Sequence, residues 1–133
     1  MSGGLSHRRL IAAARRAALA AGVLALAAAC ASSPPAPVAS PPPGAVVVTA
    51  DHEAFIEQQV VAPAGAPFTL YFENRESEPH NVRLWDASGA SVAETEIVGG
   101  PTARMVDVAA LQPGVYRLTC DVHPDMKSQL VVQ

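Results

Sequence analysis

The sequence predicts an all-β sandwich of about seven to eight strands, and three observations lead to it. From Gly44 onward, short β-favouring runs alternate with turn residues at intervals near ten. No stretch of that region carries a 3.6-residue apolar period. The segment Leu111-Gln-Pro-Gly-Val-Tyr116 has the pattern of a tyrosine corner, in which a tyrosine near a strand start hydrogen-bonds backbone a few residues upstream in Greek-key sandwiches.

Ahead of that region, residues 1–29 have the layout of an export signal. Arg8, Arg9, Arg15 and Arg16 precede an uncharged stretch, Ala17 to Ala29, too short to span a bilayer but suited to a signal-peptide hydrophobic region. Leu24-Ala-Leu-Ala-Ala-Ala-Cys30 resembles a bacterial lipobox, although Ala27 stands where such motifs prefer leucine. Cys30 is therefore the expected lipidation site and the membrane anchor. Residues 31–43, reading ASSPPAPVASPPP, lack the apolar content to fold and are expected to stay extended as a tether with a reach of about 40 Å. The organisation predicted is signal peptide 1–29, lipidated Cys30 and tether 30–43, and one folded domain over 44–133. About ninety residues suffice for a single core and not for two.

Candidate strands cover 45–50, 54–61, 67–74, 80–86, 91–98, 103–108, 114–120 and 127–133. Ala64-Gly65, Ser88-Gly89, Gly99-Gly100-Pro101 and Gln112-Pro113-Gly114 punctuate them. Alternation within 67–74 puts Phe68, Leu70 and Phe72 on one face and Thr69, Tyr71 and Glu73 on the other, as a half-buried strand requires. The same parity places His80 on the row of Val82 and Leu84, and Cys120 on the row of Tyr116 and Leu118. Two chemically distinctive side chains thus end core-facing rows.

Charge narrows the partners. All twelve Asp and Glu follow residue 30, with only five of the nine Lys and Arg, so the exported part carries a formal charge of −7. That excludes a nucleic-acid binder, which needs a basic face, and suits docking on a positively charged protein surface. The mature chain is expected to be a monomer. Glu73, Glu76 and Glu78 are expected in a solvated loop, with steering of a cationic partner as the alternative. Trp85, placed with Asn81 and Arg83 on an outward row, is expected to pack beneath a loop, with partner contact as the alternative.

Chemistry concentrates in Cys120-Asp-Val-His-Pro-Asp-Met126, where a thiolate, an imidazole and a thioether follow one another at three-residue intervals. His80, in Glu78-Pro-His-Asn-Val82, can supply a fourth donor from another strand. Two imidazoles and a thiolate with a weak thioether form the donor set of type 1 copper, whereas structural zinc takes four strong Cys or His donors. The ligands predicted are His80, Cys120, His123 and Met126, for one copper ion. Pro79 and Pro124 restrict the residues before them and stiffen both ligand segments. His52 and Met105 are expected to serve packing rather than metal. If Cys30 is not lipidated, a Cys30–Cys120 disulfide is the alternative.

On these residues the chain from about Gly44 to Gln133 resembles a cupredoxin, and the Cys-x2-His-x2-Met spacing is similar to the short ligand loop of amicyanins. The resemblance implies a Greek-key β-sandwich. It implies for Asn81 a hydrogen bond to the segment around Cys120, and for His123 an edge at the surface as the electron port. Ser128 departs from the pattern, since many such domains carry glycine there. The function expected is a one-electron carrier, not an enzyme, tethered outside the cytoplasm and exchanging electrons with unidentified redox proteins. Copper trafficking or sequestration is the first alternative, and a metal-free interaction domain the second. Copper oxidases and nitrite reductases need further His clusters, and the mature chain holds only His52, His80 and His123.

Overall fold

The computed structural model describes residues 37–133, so the expected signal peptide, Cys30 and the first part of the tether lie outside the described residues. Nine strands follow in order: β1 (Val46–Asp51), β2 (Ala54–Phe55), β3 (Gln59–Ala62), β4 (Phe68–Asn74), β5 (Arg83–Trp85), β6 (Ser91–Glu94), β7 (Thr102–Val108), β8 (Gly114–Thr119) and β9 (Lys127–Val132). They form a four-stranded sheet ordered β2-β1-β4-β7 and a five-stranded sheet ordered β3-β9-β8-β5-β6. Both sheets are mixed, because β1 lies parallel to β4 and β3 parallel to β9. The described residues contain no helix, as the missing 3.6-residue period predicts.

The ninth strand comes from the predicted run 54–61, which divides between the two sheets. Glu57 turns the chain, its carboxylate accepting the Thr49 backbone N–H at 2.7 Å and the Thr49 hydroxyl at 3.0 Å. Two other runs are shorter than predicted. Residue 80 makes an isolated bridge to Val98, regular pairing begins only at Arg83, and β6 stops at Glu94.

Alternating side chains of both sheets build the core. Phe68, Leu70 and Phe72 of β4 meet Val46, Val48 and Ala50 of β1 from one side, and Leu84, Leu118, Leu130 and Val132 from the other. Each fully buried Leu or Phe contributes about 1.5–3 kcal/mol relative to exposure. Tyr71, predicted on the outer face, is nonetheless buried, because its hydroxyl donates to the carbonyl of Ala39. The segment at Ala39 therefore lies against β4. The tyrosine corner forms, with Tyr116 donating to the Gln112 carbonyl at 3.1 Å.

Candidate metal centre

β8 ends at Thr119, and the next residue, Cys120, turns its side chain into one end of the sandwich at 3% exposure. The loop that follows is closed by its own backbone: Met126 N–H donates to the His123 carbonyl at 3.0 Å, and Cys120 N–H to the Met126 carbonyl at 3.2 Å. Such a ring fixes Cys120, His123 and Met126 relative to one another. Ser128, the departure noted above, is buried and donates its hydroxyl to the Glu57 carbonyl at 2.6 Å, which ties the loop exit to the β2–β3 crossing.

Across the end of the sandwich His80 is fully buried, its backbone bonded both ways to Val98. The Cys120 sulfur lies 3.8 Å from His80 Nδ1 and 4.0 Å from His123 Nδ1. All three donor atoms fall within 4.8 Å of one another, and the two imidazole centroids are 4.6 Å apart. An ion held by a thiolate at about 2.3 Å and imidazoles at about 2.0 Å in one plane separates sulfur from nitrogen by about 3.7 Å. The three side chains thus fit a single ion. Met126, 1% exposed, is buried where the same loop leaves the core. This donor set fits a type 1 copper site.

His80 is held by a carboxylate that the sequence reading placed in a solvated loop. Glu76 Oε1 lies 2.8 Å from His80 Nε2 and also accepts the Glu53 backbone N–H at 2.8 Å. The Glu53 bond is the main reason the Glu76 carboxyl titrates below its ordinary range, and the His80 bond adds to it against the cost of burial. With Nε2–H donating to Glu76, the lone pair of Nδ1 faces Cys120. Glu53 reaches this position because the two-residue turn between β1 and β2 has positive φ at both residues, 53° at His52 and 54° at Glu53. That is the backbone of a type I′ hairpin turn, here without the usual glycine.

Asn74, fully buried at the end of β4, shapes the loop that carries Glu76. Its amide donates to the carbonyls of Glu78 and Val98 at 2.7 and 2.8 Å, and its Oδ1 accepts Glu76 N–H at 3.0 Å. Gly100 closes the other side, donating its N–H to the Glu76 carbonyl at 2.8 Å in a space where a Cβ would strike the Asn74 carbonyl. Asn74 did not stand out in the sequence, and Glu76 did so only as one of three loop acids. The four-residue spacing between Glu76 and His80 was the one available signal, and it means little outside a helix.

Asn81 is buried rather than on the outward row, at 1% exposure. It accepts the Asp121 backbone N–H and donates to the Asp121 carboxylate, both at 2.8 Å, thereby bridging the two ligand segments. Arg83 reinforces the bridge with bonds of 3.0 and 2.7 Å to Asp121, a contact that raises its guanidinium pKa. At the surface, Val122 and Pro124 are exposed and His123 is partly so. His52 and Met105 pack nothing: the first is exposed and paired with Asp51 at 2.8 Å, the second is exposed on β7.

No curated protein matches the sequence, but solved structures share the fold. Reduced auracyanin from the photosynthetic bacterium Roseiflexus castenholzii superposes with a TM-score of 0.61 at 18% identity, over 68% of this chain and 97% of that one. Auracyanin A from Chloroflexus aurantiacus, described as a blue copper protein, gives 0.59 at 21% identity over 67% and 98%. Amicyanin from Paracoccus versutus gives 0.57 at 26% identity over 74% and 92%. The family model for the cupredoxin-like domain matches residues 20–132. With the match running over most of the sequence and a donor cluster that fits type 1 copper, this chain belongs to the cupredoxin-like domain family.

Proposed function

We propose that the protein is a one-electron carrier that would hold one type 1 copper ion through His80, Cys120 and His123, with Met126 as a weak fourth donor, and works outside the cytoplasm on a lipid anchor at Cys30. The observation that carries the reading is the convergence of a thiolate and two imidazole nitrogens within 4.8 Å. When bound, the metal supplies a couple between Cu(II) and Cu(I).

The chain's own residues supply the rest. The backbone ring from Cys120 to Met126 and the Asn81–Asp121 bridge hold the donors in one geometry, so little rearranges when the charge changes. Glu76 fixes the His80 ring, and burial of His80, Cys120 and Met126 keeps water from the centre. His123, the one partly exposed member of the cluster, leads to the surface beside Val122 and Pro124.

The test is copper uptake by residues 31–133 followed by visible absorption and electron paramagnetic resonance, with Cys120→Ser as control. An intense thiolate-to-copper band at one equivalent, absent in the control, is the expected result. Reversible voltammetry without rapid Cu(I) transfer to a competing chelator separates a carrier from a trafficking module. Weak or colourless binding would overturn the proposal.

A further inference from the structure

The outer face of the five-stranded sheet carries charge opposite to that of the domain. Residues 37–133 hold five Lys and Arg against twelve Asp and Glu, yet three of the five cations share this face. Glu94, Arg83, Thr119 and Lys127 form one cross-strand row, its single acid paired with Arg83, and Trp85, Arg117 and Gln129 form the next. The outer face of the four-stranded sheet bears Asp51, Glu73 and Asp107 instead.

Trp85 sits at the centre of the cationic face. Its indole N–H donates to the Thr119 hydroxyl at 2.8 Å, and two guanidinium carbons lie over the ring, Arg83 at 5.3 Å and Arg117 at 5.6 Å from its centroid. Glu94 and Asp121 neutralise Arg83 at 2.6 and 2.7 Å. Arg117 and Lys127 are exposed, and among the described residues neither has a carboxylate in salt-bridge reach. An open groove lined by Trp85, Arg117, Asp121, Pro124 and Lys127 runs from these cations to Cys120.

We propose that this face docks a carboxylate-rich surface of a partner protein, with Arg117 and Lys127 pairing its acidic side chains and Trp85 as the apolar centre. Charge complementarity selects an acidic occupant, because the domain as a whole is acidic whereas this face gathers three of its five cations. A Trp with Arg side chains beside it is the composition that carries binding energy at protein interfaces. A partner seated there lies against the strand end that bears Cys120, which would serve the electron-carrier reading, but its recognition needs no metal.

Trp85 is the only tryptophan, so its emission reports this face alone. The experiment titrates a glutamate-rich peptide into the purified protein, with and without copper, and follows Trp85 fluorescence. A saturable change that fades as salt is raised is expected. Arg117→Glu and Lys127→Glu should each weaken it by about tenfold. Arg104→Glu, which alters the net charge equally from β7 in the other sheet, should leave it unchanged. No saturable response, or equal weakening by Arg104→Glu, overturns the proposal. So does a response to phosphatidylglycerol vesicles without one to the peptide, which would make the face a membrane contact. Because the apo protein is titrated too, failure of the copper site and failure of the docking face give separate results.

Discussion

Replacing Glu76 with Gln should raise the reduction potential of the copper centre. Glu76 Oε1 lies 2.8 Å from His80 Nε2, so the imidazole stands between the carboxylate and an ion on Nδ1. At a charge separation of about 7 Å and an effective dielectric of about 20, the carboxylate favours the oxidised ion by about 2.4 kcal/mol. For one electron that is about 100 mV. The Glu76 side chain is 22% exposed, and solvent screening brings the expected rise to about 50–100 mV. Gln keeps an oxygen able to accept from both His80 and Glu53, so the substitution removes charge with little change in geometry. Voltammetry of both proteins measures the difference, and the visible band of each shows that the site is intact. An unmoved or lowered potential with an intact band would refute the reasoning.

Three other perturbations probe the framework. Asn81→Ala strands the Asp121 N–H that Asn81 now satisfies; urea unfolding should show a loss of about 1–3 kcal/mol, and an unchanged midpoint would mean that the bridge adds nothing. Leu118→Ala empties a fully buried position two residues before Cys120 and should cost about 2–5 kcal/mol in the same assay; a cost within error of zero would show that this end of the core collapses freely. Asp86 accepts from Ser88 and Ala90 in the β5–β6 turn, the Ser88 hydroxyl being the main cause of its lowered pKa. Its stabilisation is present above the unfolded carboxyl's pKa of about 3.9 and is lost as pH falls through the lower folded value. The stability gap between wild type and Asp86→Asn should therefore be largest near neutral pH and close in acid, and a gap independent of pH would contradict this.

The all-β class was legible because period-2 alternation is a local property: Phe68, Leu70 and Phe72 face one way whatever lies around them. The candidate metal-binding groups were legible for a similar reason, since Cys120, His123 and Met126 occupy one short loop and donor chemistry is a matter of residue type. Tertiary structure decided what depends on contacts between distant segments. The run 54–61 became two strands in two sheets because Glu57 found Thr49, a partner that no window of sequence reveals. Tyr71 was buried by a segment thirty-two residues earlier. Glu76 became the support of His80 only because an irregular loop, pinned by Asn74 and Gly100, folds it back onto the ring and a left-handed turn brings the Glu53 N–H to meet it. The cationic face around Trp85 likewise needs strand register, since Arg83, Arg117 and Lys127 are scattered along the chain and become neighbours only when β5, β8 and β9 pair. Sequence alone names the groups able to bind a metal, because donor chemistry is intrinsic to a side chain; orientation, charge environment and docking surface arise from pairing, which is long-range.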